Sequence, residues 1–196
     1  MKVALLISTI ILISASPMAD RSSERWVVDA RSELIIRGSS NVNNFVCRTD
    51  CYQIQDTLQF VVRESDCEIL FSQKALQIPL TGFDCGNDLI TKDFRDALDA
   101  NRHPRLSVRF LSLDHQILTL RSGSVSGLVQ ITLAGTTRTY PVLYTISADG
   151  NTLTLSGART VCFSDFKLQP PRKMMGLIRV QDDVDVEFQL HLQRLP

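Results

Sequence analysis

The chain has 196 residues, 44% of them hydrophobic and 21% charged, with 21 lysines and arginines against 21 aspartates and glutamates. At roughly 150 residues per domain, this length gives one domain or at most two small ones, and it can bury a sizeable core without staples. The balance excludes intrinsic disorder, which needs low hydrophobicity and high net charge, and it supplies none of the clustered positive charge that neutralises nucleic-acid phosphates.

Lys2 precedes an apolar run, Val3 to Ile13, interrupted only by Ser8 and Thr9, and the small-residue stretch Ser14-Ala15-Ser16-Pro17-Met18-Ala19 follows. A basic start, a short apolar segment and a small-residue exit make a secretory signal peptide over residues 1–19. The run is shorter than the roughly 20 apolar residues of a membrane-spanning helix. The mature domain, residues 20–196, is then exported, periplasmic or extracellular, with no transmembrane segment.

Export bears on the five cysteines, Cys47, Cys51, Cys67, Cys85 and Cys162. Disulfides persist in oxidising compartments, and an odd count suits two bridges and one free thiol, with several pairings open. Four of the five fall between residues 47 and 85, which favours bridges there. A zinc site is the rival reading, but no second close Cys/His pair joins Cys47 and Cys51 to complete four ligands.

Period-two alternation dominates the mature chain and predicts half-buried antiparallel strands. It runs through Ile54, Leu58, Phe60 and Val62, then Leu106, Val108 and Phe110, then Val125, Val129, Ile131 and Leu133. Tyr140, Val142, Tyr144 and Ile146 repeat it before the Asp149-Gly150 turn, and Leu153 and Leu155 open the returning strand. The last strand is the clearest, with Val184, Val186, Phe188, Leu190 and Leu192 against Asp183, Asp185, Glu187, Gln189 and His191. About eight regularly spaced strands suggest a sandwich or a closed barrel, and closure removes aggregation-prone edges.

One segment departs from the pattern. Between Asp88 and Ala100 the residues Ile90, Phe94, Ala97 and Leu98 have helical spacing, with Asn87 or Asp88 to cap the start and Asn101 and Pro104 to end it. This is an amphipathic helix over about 88–100, filling one end of the sheet. The longest irregular stretch, Lys167 to Arg179, contains Arg172-Lys173-Met174-Met175. Methionines adapt to permissive binding surfaces, and an arginine can grip a phosphate bidentately. These four residues are therefore expected at the mouth of the sheet, the methionines on an apolar ligand and Arg172 and Lys173 near an anionic group.

Nothing points to catalysis or to a cofactor. No nucleophile elbow and no metal-binding histidine pair occurs among His103, His115 and His191. Asp182, Asp183 and Asp185 read as the wet face of a strand, and Cys162 as an inert thiol in an apolar one.

In order along the chain, several motifs together resemble the YceI-like family of exported, lipocalin-like barrels. Trp26-Val27-Val28-Asp29 with Ser32 is similar to the family's opening strand. Asp93, Phe94 and Leu98 followed by His103-Pro104 and Phe110 resemble its helix and next strand, and Ile131 to Arg138 resembles its hairpin. Asp165-Phe166 and the strand from Asp183 to Leu192 complete the order. The pieces Ser40 to Cys47 and Phe83 to Asn87 look like a Bacteroidetes-type branch. The chain departs from the pattern at Phe163, where relatives often have arginine, at Lys167, where they have glycine, and at Asn41 to Asn44, near the place of a common histidine.

The resemblance implies an all-β fold, an eight-stranded antiparallel lipocalin-like barrel with one helix. It also implies a long-chain apolar or amphiphilic lipid, such as a polyisoprenoid, as partner. Phe60, Val62, Phe71, Phe94, Leu98, Phe110, Tyr140, Tyr144 and Phe188 are inward candidates that either fill the barrel or line a cavity; the resemblance favours the cavity. The two branch motifs imply a Cys47–Cys85 disulfide, which leaves Cys51–Cys67 as the second. The leading expectation is a lipid-binding protein without catalysis, and the alternative is a structural or interaction protein with a filled barrel. A homodimer is left open.

Overall fold

The computed structural model describes residues 23–50, 57–63, 68–71, 75–118 and 120–195. The expected signal peptide, Cys51 and Cys67 lie outside these residues, as do the side chains of Phe60 and Val62.

The alternating segments form twelve strands among the described residues. They are β1 (Ser23–Val28), β2 (Glu33–Ser40), β3 (Asn44–Asp50), β4 (Thr57–Arg63), β5 (Glu68–Phe71), β6 (Leu76–Pro79), β7 (Arg105–Asp114), β8 (Ser122–Leu133), β9 (Thr136–Asp149), β10 (Thr152–Cys162), β11 (Arg172–Lys173) and β12 (Ile178–Arg194). All pairings are antiparallel. Eight strands pair in the order β1-β4-β5-β7-β8-β9-β10-β12, and β12 pairs back to β1 through Trp26 opposite Arg194 and Val28 opposite Leu192. This ring is the expected eight-stranded barrel.

The additional strands arise because three staves of the barrel are broken. β2 and β1 occupy successive stretches of one edge of β12. β3 and β4 lie on the far sides of β2 and β1, and β6 and β5 occupy successive stretches of one edge of β7. The break between β1 and β2 is polar and fully satisfied. The Asp29 amide donates to the His191 carbonyl at 2.7 Å, and the buried Ser32 hydroxyl accepts from the His191 amide at 2.9 Å. The serine thus replaces ladder bonds lost at the kink, as buried polar groups require.

The strand alternation fixes the two faces. Along β9, Tyr140, Val142, Tyr144 and Ile146 are buried, while Thr139, Pro141, Leu143, Thr145 and Ser147 between them are exposed. Leu113 and Ile146 are only 1% exposed at the core.

Between β3 and β6 the wall is incomplete. β4 pairs with β5, but β3 and β6, their continuations, do not pair with each other. Segment 83–85 spans that gap, where the amide and carbonyl of Arg48 and Asp84 exchange two 2.8 Å hydrogen bonds and Cys47 is disulfide-bonded to Cys85. Helix α1 (Asp88–Ala97) follows directly. It ends three residues before the expected Ala100, because Asp99 adopts a left-handed backbone with φ of 56°.

Helix α1 is tied to the barrel at both ends. The Asn87 side chain accepts from the amides of Leu89 and Ile90. The Thr91 hydroxyl accepts from the Cys85 amide at 3.0 Å, and the Arg95 guanidinium donates to the carbonyls of Thr81 and Phe83. Asn87→Ala, which deletes the cap, is expected to cost about 1 kcal/mol and to lower the melting temperature by roughly 3 °C, read by thermal unfolding.

Candidate ligand-binding cavity

Inside the ring, on the α1 side of the barrel, the inward residues line a cavity of about 120 Å³. The walls come from most of the ring: Leu34 and Ile36, Leu106, Val108 and Phe110, Val129, Ile131 and Leu133, Val142 and Tyr144, and Val184, Val186, Phe188 and Leu190. Phe94 and Leu98 of α1 cover one side, and the Phe83 ring packs on Phe94 at 5.4 Å. Phe163 and Phe166, from a helical turn after β10, cover another. Small-molecule sites are mainly apolar, and the surface this cavity presents is apolar.

Four rings mark the lower limit of this space. Phe71–Phe110 lie 5.5 Å apart, Phe110–Tyr144 6.2 Å and Tyr144–Phe188 5.5 Å. Phe110, Tyr144 and Phe188 face the cavity, whereas Phe71 lines a second hollow at the opposite end of the barrel, with Trp26, Leu58, Leu113 and Leu153. Glycines make room for these rings. The Phe188 ring covers Gly157 and the Tyr144 ring lies over Gly127, where neither neighbour carries a Cβ.

The polar groups on the lining are few. Tyr144 is fully buried, and its hydroxyl has no hydrogen-bond partner. Burial alone pushes its phenol above the ordinary tyrosine value. Arg159 stands on the rim, exposed to solvent, with its guanidinium 5.7 Å from the centre of the Tyr140 ring. Its position follows from the backbone, because β9 and β10 pair only from Thr152–Asp149 to Gly157–Tyr144 and then separate. Tyr140 and Arg159 flank the resulting opening. The Tyr140 hydroxyl donates to Asp165 Oδ2 at 2.9 Å, and burial with this bond keeps the phenol protonated well above its usual range.

The expected site residues divide three ways. Phe94, Leu98, Phe110, Tyr144 and Phe188 line the cavity; Tyr140 stands behind it against Phe166, and Phe71 belongs to the second hollow. The methionines and the basic pair differ from expectation. Met174 and Met175 point to solvent, with Met175 fully exposed, and neither touches the cavity. The cause is a turn with three successive left-handed residues, Met174, Met175 and Gly176, at φ of 50°, 55° and 88°. Asn41 clamps this turn, donating to the Leu177 carbonyl and accepting from the Arg179 amide. Arg172 also lies outside the lining, and Lys173 Nζ sits 2.6 Å from Asp93 Oδ1, pinning the turn to α1. Arg159 joins the site beyond the expected residues: it occupies the inward register of Leu153, Leu155 and Val161, and a charge at an inward position is its signal in the sequence.

Cys162 is free, half-buried and on the cavity wall. Burial first, then Asp182, Asp165 and Asp183, raises its thiol above the ordinary value, which leaves it protonated and poorly nucleophilic at neutral pH. Among the described residues no group of three His, Cys, Asp or Glu side chains is placed to hold a metal ion, and no helix is long and apolar enough to cross a membrane.

By sequence, no protein-family model and no curated protein matches this chain. By structure it is similar to Burkholderia cenocepacia BcnA, at 19% identity and a TM-score of 0.60, over 84% of this chain and 98% of that one. It is similar also to a polyisoprenoid-binding domain from Saccharophagus degradans implicated in plant cell wall breakdown, at 16% identity and a TM-score of 0.59, over 86% and 97%. A Campylobacter jejuni YceI protein aligns over the full length of both chains at 12% identity and a TM-score of 0.51. The chain therefore has the fold of the YceI-like, lipocalin-like barrels.

Proposed function

We propose that this is an exported lipid-binding protein that holds a long-chain lipid, of polyisoprenoid or amphiphilic type, in the α1-side cavity without chemical change. The observation that carries the reading is the cavity itself, walled almost wholly by apolar side chains and capped by Phe94 and Leu98. Burial of the chain supplies the driving force, at about 25 cal/mol per Å² of apolar surface. The polyisoprenoid-binding description of the Saccharophagus degradans neighbour supports the ligand class. Export is supported by the Lys2–Ala19 pattern and by the Cys47–Cys85 bridge, a bond that persists in oxidising compartments.

Native mass spectrometry of protein purified from its host tests this reading, and a co-purifying lipid adduct on a chain lacking residues 1–19 is expected. Ile131 is half-buried on the wall, so Ile131→Trp fills the cavity from its margin. This variant is expected to keep the wild-type circular dichroism spectrum and to bind the hydrocarbon fluorophore diphenylhexatriene at least about tenfold more weakly, a difference of about 1.4 kcal/mol. Consistently empty wild-type protein, or unchanged fluorophore affinity in the variant, overturns the proposal.

A further inference from the structure

The hollow at the end of the barrel opposite α1 has no part in the lipid-binding reading. It shares no lining residue with the α1-side cavity and is the larger of the two, at about 340 Å³ against about 120 Å³. That size lies within the range of small-molecule sites, roughly 300–1,000 Å³. Its depth is apolar: Leu58, Ile69, Leu113, Leu153, Leu155 and Leu192 line it and are buried. Its mouth is basic. Arg121, just before β8, and Arg194, at the end of β12, line the hollow and are exposed to solvent. Backbone bonds hold both to the β9–β10 hairpin: the Arg121 carbonyl accepts from the Ala148 amide, and the Arg194 amide donates to the Asn151 carbonyl. Among the described lining residues none is acidic. The surface of the α1-side cavity is wholly apolar, whereas this hollow presents apolar and polar surface together.

We propose that this hollow is a second binding site, which takes a small anionic amphiphile, a medium-chain carboxylate. Its chain lies tail first among the buried leucines, driven by apolar burial. Its carboxylate stays at the mouth, where the guanidiniums of Arg121 and Arg194 donate charge-assisted bonds to it. Because the mouth is open to water, the ion pair forms without the desolvation cost of a buried charge. An amine on the same chain meets two like charges there, and an alcohol gains the burial without the charge. The Phe71 and Phe110 rings, 5.5 Å apart, stand between the two spaces, one lining each. The second site therefore stands whether or not the α1-side cavity is filled.

Trp26 is the sole tryptophan of the chain, and it lines this hollow but not the α1-side cavity. Its fluorescence therefore reads occupancy at this end of the barrel. Titration of the protein with octanoate is expected to give a saturable change in that signal. Hexanoate, which buries two fewer CH₂ groups, is expected to bind about tenfold more weakly. In Arg121→Gln/Arg194→Gln, octanoate is expected to bind about tenfold more weakly, with octan-1-ol affinity unchanged within about twofold. Arg121→Gln alone, which alters one exposed side chain, is expected to melt with the wild type and to weaken octanoate about threefold. A Trp26 signal that does not saturate with octanoate overturns the second site and leaves the α1-side reading untouched. Octanoate affinities unchanged in both variants, or octan-1-ol weakened as much as octanoate, overturn the assignment of the anion to the two arginines.

Discussion

Replacing Cys47 and Cys85 together by alanine is expected to lower stability by about 4 kcal/mol, the loop-closure value for a bridge of this span. The bridge joins residues 38 apart and is deeply buried, with Cys47 0% and Cys85 9% exposed. Its position gives it weight beyond chain entropy. It crosses the stretch of wall where β3 and β6 make no ladder, and there the backbone contribution is the short bridge between Arg48 and Asp84. Helix α1 begins three residues beyond Cys85 and carries Phe94 and Leu98 into the cavity. Loss of the disulfide should therefore loosen the helix and speed ligand release as well as destabilise the barrel. Thermal unfolding should show a melting temperature lower by roughly 12 °C. Cys162→Ala serves as control, since that half-buried thiol closes no loop. A double variant that melts within 2 °C of wild type would show that the backbone bridge and the helix ties hold the wall by themselves.

Gly127→Ala carries the second large expected effect, about 3 kcal/mol of destabilisation from overpacking. A Cβ at Gly127 would stand 2.5 Å from the Ser112 carbonyl oxygen, 2.6 Å from Leu113 Cδ2 and 3.1 Å from Tyr144 Cε2. The first of these is backbone and cannot rotate away. It belongs to β7 just where the β7–β8 register shifts between Phe110 and Ser112, so the ladder itself must move. Leu113 and Tyr144 are almost wholly buried and have no room to retreat. The change therefore strains both the sheet and the aromatic row below the cavity. Urea denaturation should give a lower midpoint with an unchanged slope. By contrast, Gly150→Ala meets nothing within 4 Å and has only its left-handed φ of 57° to overcome, so it should cost about 1 kcal/mol. Equal midpoints for Gly127→Ala and wild type would refute the close-packing argument.

The site was legible wherever it depended on strand parity. Phe110, Tyr144 and Phe188 sit on strands whose alternation names the inward face, and Phe94 and Leu98 share a helix face; all five line the cavity. Parity failed where long-range geometry intervened. Phe71 has an inward position, but its strand lies below the aromatic row, so it faces the other hollow. Tyr140 is inward as well, yet the separation of β9 from β10 and the turn carrying Asp165 and Phe166 draw it behind the wall. Met174 and Met175 belong to no periodic segment. Their direction is set by three consecutive left-handed residues and by Asn41, over a hundred residues away in sequence. Arg159 shows the converse: its parity was readable, but a charge facing inward makes sense only once the opening beside it is known.

The resemblance of two motif-bearing segments implied the Cys47–Cys85 pairing. The sequence by itself determined the inward and outward face of the alternating strands and one capped helix. These follow from local chemistry: period-two alternation, a capping asparagine, a turn glycine. The tertiary structure decided the rest. Ring closure of β12 onto β1, the broken staves, the gap between β3 and β6 and the cavity all depend on which distant segments meet. Alternation is indifferent to whether the inward face is filled or hollow, because the same apolar side chains satisfy either. Only their positions around the ring leave space on the α1 side.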